Sequence, residues 1–267
     1  MSKNVLIRKL HEGRVLLGLG QMYPASGIIE GMCKGWDFVW IDGQHGEMSY
    51  DSILHAVQAA MAAGVEGLVR VPGHEHSVLG QYADLAPAAI MVPMVETRDQ
   101  ARYVARGLCF PPLGNRSYGG RRLVDIHGRD AYREYELLVV AQIETVQSVE
   151  NASDIISTEG VGCLFFGPDD MKVQMGIPVN TPVLENKRLL DAMASTAQAA
   201  REAGKFAGTV ASDKDTLRVA LEMGYRMIVG GSDIVFLRTL AAQRLKELRG
   251  VCEEPRPSGP AGTEGQG

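Results

Sequence analysis

Eight short runs of apolar, largely β-branched residues recur along this chain, separated by longer segments, several of which carry a helical repeat of apolar positions. The runs are Val15–Leu19, Phe38–Asp42, Gly67–Val71, Ala89–Val92, Leu137–Gln142, Val161–Phe166, Phe206–Val210 and Met227–Val229. They are continuously apolar rather than alternating, as strands covered on both faces must be. Strands of that kind pair in parallel, because a crossover helix carries the chain back over the sheet. Eight strand–helix units predict closure into a (β/α)8 barrel, with a doubly wound open sheet as the structural alternative. A length of 267 residues suits one such barrel, predicted over 1–250. Residues 251–267 are poor in apolar side chains and are expected to form a disordered tail.

The connecting segments support the count. In Ser49–Gly64, the residues Ile53, Leu54, Val57, Ala60 and Met61 share a helical stripe, with Ser49 placed to cap the amino end. Glu185–Ala203 and Asp213–Met223 show the same pattern, and each runs into a glycine, Gly204 or Gly224, suited to a left-handed helix cap. The longest connection, Cys109–Glu136, is rich in Arg and Gly and reads as a lid or a subunit contact.

Several functional classes are disfavoured. A net charge of −5 is the wrong sign for a nucleic-acid surface. No apolar run approaches the roughly 18 residues that a membrane span requires. The first residues, MSKNVLIRKLHEG, have no apolar core of the secretory type. Cys33, Cys109, Cys163 and Cys252 show no CxxC spacing, so neither a zinc ribbon nor a disulfide framework is expected. The expected location is a reducing cytoplasm.

Chemistry on a barrel of this type sits at the carboxyl ends of the strands. There the chain places Asp42-Gly43-Gln44-His45, Arg70, Gln142-Ile143-Glu144, Gly167-Pro168-Asp169-Asp170 and Gly230-Gly231-Ser232-Asp233. Glu144 and Asp170 follow adjacent strands, whose axes lie about 4.8 Å apart. Two carboxylates that close either share a cation, for which Mg²⁺ or Mn²⁺ is suited, or are neutralised by arginines and helix ends. Arg70, closing a buried strand, needs an anion: a substrate carboxylate or enolate, or else Glu144, Asp42 or Asp84. His45 follows a strand end directly and has Asp42 nearby. His74 and His76 form an HxH pair in a turn with no third ligand in sight, and solvent exposure is expected for them. The GxG at Gly18–Gly20 lacks the rest of a dinucleotide fingerprint. A Schiff-base route needs a lysine on the active rim, and only Lys172 lies near it.

Taken in order, Asp-Phe-Val-Trp-Ile-Asp-Gly-Gln-His (37–45), Leu-Val-Arg-Val-Pro (68–72), Met-Val-Pro-Met-Val-Glu-Thr (91–97), Phe-Pro-Pro-Leu-Gly-Asn-Arg (110–116), Gln-Ile-Glu-Thr (142–145) and Phe-Phe-Gly-Pro-Asp-Asp-Met (165–171) resemble the HpcH/HpaI family of class II pyruvate aldolases. The resemblance runs from about Leu10 to about Arg249. It implies a TIM barrel of the phosphoenolpyruvate/pyruvate-binding type and a divalent metal, Mg²⁺ or Mn²⁺ with Co²⁺ as a third choice. It implies reversible cleavage of a 4-hydroxy-2-oxo acid to pyruvate, or a related 2-oxo acid, and an aldehyde through an enolate. By the same resemblance Glu144 and Asp170 are metal ligands and His45 is the base, acting through a bound water with its basicity raised by Asp84. Arg70 stabilises the enolate, Gln142 contacts substrate, Asp42 orients water or histidine, and the N–H groups of Asp169 and Asp170 hold the carboxylate. A homo-oligomer, a hexamer built as a trimer of dimers, is also implied. Part of the last helix (Asp233–Leu248), with Val235, Phe236, Leu240, Leu245 and Leu248, is expected to pack on a neighbour. Three positions depart from the usual pattern. Gln44 stands where Glu is common, Gly20 where a bulky aromatic is common, and Lys172 where a small residue is usual. Gly20 predicts more room on the aldehyde side. A citrate-lyase-like enzyme and a non-catalytic barrel are the competing expectations.

Overall fold

A computed structural model describes residues 2–254. Eight parallel strands close in sequence order: β1 (Leu16–Gln21), β2 (Phe38–Asp42), β3 (Glu66–Arg70), β4 (Ala89–Val92), β5 (Leu138–Ile143), β6 (Val161–Phe166), β7 (Phe206–Val210) and β8 (Met227–Ser232). β1 pairs with both β2 and β8, so closure is complete and the barrel has no sheet edge. The expected barrel is thus the observed one. Strand limits match the apolar runs to within a residue or two, except that β8 extends three residues further through Gly230, Gly231 and Ser232.

The two faces of each strand enter different cores. Val39, Ile41, Val69, Ile90, Val139, Ala141, Leu164 and Phe166 face the helices. Leu16, Phe38, Trp40, Leu68, Met91, Leu138, Val140, Cys163, Phe165, Met227 and Val229 fill the barrel interior. Two ring side chains need glycine opposite them. A Cβ on Gly18 would lie 2.2 Å from the Phe38 ring, and one on Gly208 would lie 2.7 Å from the Phe165 ring. The helix Val5–His11 sends Leu6 and Leu10 into the same interior cluster. Asn4, which caps it, also donates to the carbonyls of Ala88 and Glu136. The amino end of the barrel is thereby plugged with side chains, which leaves the carboxyl end to carry chemistry.

Local signals place the covering helices. Tyr50–Ala63 begins at the Ser49 cap and stops at Gly64 in the left-handed region, φ 73°. Its buried face is Ile53, Ala56, Val57, Ala59 and Ala60; Leu54 is only half-buried and Met61 is exposed, so the inward stripe is rotated toward the alanines. Small residues there let the helix approach the strands closely. Lys187–Glu202 is followed by Gly204 at φ 64°, and Lys214–Met223 is capped by Asp213 and ended by Gly224 at φ 105°. The long connection before β5 contains two short helices, Arg121–His127 and Ala131–Glu134.

The chain divides into two compact units, 1–233 and 234–267. The barrel is the first. Of the second, the described part is the rest of one helix, Asp233–Glu253, carrying Val235, Phe236, Leu237, Leu240, Leu245 and Leu248. Residues 251–253 of the expected tail are helical, and 255–267 lie outside the described residues. No helix among the described residues is long and apolar enough to cross a membrane.

The interior packing makes a direct prediction. Gly18→Ala should destabilise the barrel by about 1–3 kcal/mol in chemical denaturation, because the new methyl meets the Phe38 ring. Adding Phe38→Leu should recover part of that loss, since a smaller side chain then faces the methyl.

Candidate active site

Side chains on the interior face of a strand continue upward at every second residue. On β2 the inward series Phe38, Trp40 ends at Asp42, and on β3 Leu68 is followed by Arg70. Asp42 and Arg70 are register partners across the two strands. Both are buried, Asp42 at 0% and Arg70 at 4% exposure. Arg70 donates from Nε to Asp42 Oδ1 (2.8 Å) and from Nη2 to Asp42 Oδ2 (2.5 Å), a bidentate fork. Its third contact is long: Nη1 to Gln142 Oε1, 3.4 Å. Below, the guanidinium lies over the Trp40 ring at 4.7 Å.

Asp42 also accepts the backbone N–H groups of Gln44 (3.0 Å) and His45 (3.3 Å), which folds the chain after β2 into a tight turn. Burial alone would push the Asp42 carboxyl up. The Arg70 fork and charge and the two N–H donors overcome it and hold the carboxyl below its ordinary value. His45 emerges from this turn exposed at the rim. Gln44 Oε1 is buried without a hydrogen-bond partner.

On β5 the inward series Leu138, Val140 continues through Gln142 to Glu144, one residue past the strand end. Glu144 is 1% exposed. Its Oε1 accepts the N–H of Met94 at 2.8 Å, while Oε2 is buried with no partner. Burial first, then the nearby charge of Asp170, raise the Glu144 carboxyl to about 7, against lowering contributions from Met94 and Arg70. Asp170 sits in the first turn of the helix Pro168–Gln174, whose amino end has no side-chain cap. A buried carboxylate oxygen with no hydrogen-bond partner, beside a second carboxylate, offers donors of the kind a divalent cation takes, so these residues fit a metal. The described residues contain no group of three or more His, Cys, Asp or Glu that could hold a metal ion. An oxygen-only, two-residue set suits Mg²⁺ or Mn²⁺, which keep open positions.

The structure therefore brings Asp42, Arg70, Gln142, Glu144 and Asp170 together on one rim. Asp84 stands apart from that network: its carboxylate pairs with Arg116 at 2.8 Å, and no described hydrogen bond joins it to His45. The expectation that His74 and His76 are simply solvent-exposed is corrected. Both are half-buried; His74 Nε2 bonds to the Pro93 carbonyl, and His76 Nε2 to that of Tyr103, on whose ring it also stacks. Lys172 is buried, with Nζ bonded to Asp169 Oδ1 (3.0 Å) and the Val179 carbonyl (2.9 Å). Its ammonium is committed to those partners. Gly20 has no left-handed backbone requirement. A Cβ there would come within 3.1 Å of Ser232 Cβ, so the added room at that position is bounded by β8 and by Met22.

Two contributors were not found by sequence reasoning. Trp40 carried a usable signal, since it lies two residues before Asp42 and shares its face. Met94, which meets Glu144 through backbone alone, carried none.

Residues 27–239 match the model of the HpcH/HpaI aldolase/citrate lyase family. The chain belongs to that family. Among curated relatives, the 4-hydroxy-2-oxovalerate aldolase of Novosphingobium aromaticivorans is 33% identical over 90% of this chain and 92% of its own. The 2-keto-3-deoxy-L-rhamnonate aldolase of Shigella sonnei (strain Ss046) is 28% identical over 96% and 97%. Among solved structures, an HpcH/HpaI aldolase/citrate lyase family protein from Burkholderia cenocepacia J2315 superposes with a TM-score of 0.83 at 29% identity, over 92% of this chain and all of that one.

The raised Glu144 carboxyl predicts how stability responds to pH once metal is stripped with EDTA. The folded carboxyl, near 7, lies above its unfolded value of 4.5. The folded state thus prefers the protonated form, and that advantage is complete below about 4.5 and lost as pH rises to 7. The melting temperature of the stripped protein should fall between pH 5 and pH 7.5. Glu144→Gln should flatten that fall and raise the melting temperature at pH 7.5.

Proposed function

We propose that this chain is a class II aldolase that reversibly cleaves a 4-hydroxy-2-oxo acid to pyruvate, or a related 2-oxo acid, and an aldehyde. The observation that carries the reading is the partnerless buried oxygen of Glu144 beside Asp170, two strands away from an arginine whose third contact is long. Glu144 and Asp170 would hold a divalent cation, Mg²⁺ or Mn²⁺ with Co²⁺ as a third choice. When bound, that ion supplies Lewis-acid polarisation of the 2-oxo acid oxygens.

The chain's own groups do the rest. Asp42 fixes two of the Arg70 donors, so the guanidinium plane cannot turn, and Nη1 is left for the oxygen on which enolate charge develops. The weak bond to Gln142 is exchanged for that contact, while Gln142 remains beside the substrate. The uncapped first turn at Asp169 and Asp170 offers backbone N–H groups to the substrate carboxylate. His45, exposed on the rim, takes the proton of the 4-hydroxyl. The C3–C4 bond breaks, its electron pair enters the enolate, and the aldehyde carbonyl forms. The same proton, delivered to C3, completes the 2-oxo acid product. Imidazole is the side chain best suited to hold and pass on a proton in this way.

We further infer a homo-oligomer, a hexamer arranged as a trimer of dimers, working in the cytoplasm on small molecules. The family resemblance supports it, as do the apolar side chains of the helix Asp233–Glu253, which as a single helix has no core of its own.

Three measurements test these readings. A panel of 4-hydroxy-2-oxo acids, including 4-hydroxy-2-oxovalerate and 2-keto-3-deoxy-L-rhamnonate, should yield pyruvate or another 2-oxo acid in an EDTA-sensitive assay. Glu144→Ala or Asp170→Ala should lower kcat/KM at least about a thousandfold, as loss of several kcal/mol of charge stabilisation implies. Cleavage that survives both chelation and Glu144→Ala would sink the metal reading. His45→Ala should slow deuterium exchange into pyruvate by roughly 10²–10⁴-fold, whereas Arg70→Ala should also raise the KM for pyruvate. Wild-type exchange in His45→Ala removes that residue from the mechanism. Sedimentation at micromolar concentration should show an assembly larger than a monomer, and a monomer would refute the hexamer.

A further inference from the structure

The Glu144 carboxylate is held on one side by a single backbone N–H, that of Met94 at 2.8 Å. Met94 is one of only two described non-glycine residues with positive φ, at 52°. An L side chain other than Asn or Asp rarely adopts that conformation, and in a site it persists only where neighbours impose it. The chain reaches it directly from β4, through Val92 and Pro93. Pro93 has no N–H to anchor, so its carbonyl is the backbone group of that residue available for a hydrogen bond. That carbonyl is bonded by the Nε2 of His74, from the turn after β3. A carbonyl only accepts, so Nε2 carries the proton and His74 is the donor.

These contacts form one line: His74 to the Pro93 carbonyl, the strained Met94 next in sequence, and its N–H to Glu144. The opposite side of the Glu144 turn is fixed separately, by Ser148 Oγ accepting the N–H groups of Glu144 (3.1 Å) and Thr145 (3.0 Å). Glu144 therefore depends on two supports, and only the first touches its carboxylate. We propose that His74 is a positioning residue. By clamping the Pro93–Met94 turn in its left-handed conformation, it aims the Met94 N–H at Oε1 and leaves Oε2 directed at the cation. The proposal rests on the reading of Glu144 and Asp170 as a metal pair.

The test is Mn²⁺ affinity, measured by equilibrium titration without substrate, alongside thermal melts. Wild type and Glu144→Ala serve as the reference pair. Wild type that binds no Mn²⁺, or Glu144→Ala that binds it unchanged, overturns the metal pair itself. Given that reference, His74→Leu fills the space without a donor and His74→Gln restores one. His74→Leu should weaken Mn²⁺ binding at least about tenfold, the usual scale for a residue that orients a ligand. His74→Gln should bind within about threefold of wild type, a recovery that a purely structural role would not tie to the N–H donor. A folded His74→Leu protein with a dissociation constant within twofold of wild type overturns the proposal, as does equal weakening in both variants. If His74→Leu does not fold, His74→Gln decides alone: near-wild-type affinity supports the clamp, and a tenfold loss overturns it.

Discussion

Arg70 and Asp42 face each other on neighbouring strands, and nearly everything at the barrel mouth is arranged around their bidentate pair. Taking both charges out of water is expensive, and the attraction between them repays it only with near-ideal geometry and further hydrogen bonds. The structure supplies these. Two N–H groups from the following turn add to Asp42 Oδ1, and the Trp40 ring supports the guanidinium from below. Removing either partner leaves an uncompensated charge in the barrel. The pair therefore does more than stabilise: it fixes the turn that presents His45 and leaves one arginine donor loosely occupied.

Glu144 presents the opposite electrostatic situation. It is as buried as Asp42, yet it has one backbone donor in place of a fork and a like charge nearby, so its carboxyl is pushed up where that of Asp42 is held down. Two acids on the same rim thus have opposed environments, one satisfied within the chain and one left short. A group that is destabilised alone and stabilised by a cation is suited to binding that cation. The expense is carried by a barrel whose remaining interior is densely apolar.

The loops around this rim are held chiefly through backbone atoms. His74, His76, Lys172 and Asn151 each bond to a carbonyl of a different segment. Ties of this type fix the path of a loop while leaving the side chains that face the mouth free to vary.

Continuous apolar runs are best buried on both faces in a parallel, covered sheet, and their count of eight pointed to a barrel, with a doubly wound open sheet as the alternative; the pairing of β1 with β8 decided between them. The helix-ending glycines Gly204 and Gly224 and the Ser49 cap were legible because helix ends have local chemistry. Asp42, Arg70, Gln142, Glu144 and Asp170 were legible because a strand end is a fixed place on this fold. Tertiary structure decided what those residues touch. That Arg70 takes Asp42 as its anion, that Asp84 belongs to Arg116, and that His74 is bonded to backbone are long-range pairings with no local signature. The buried stripe of Tyr50–Ala63 turned toward alanines because the distance to the strands, not hydrophobicity, selects the inward face. Met94 is the clearest case. No side-chain property of methionine predicts a left-handed backbone; it goes with long-range contacts of the turn after β4, to His74 and to Glu144.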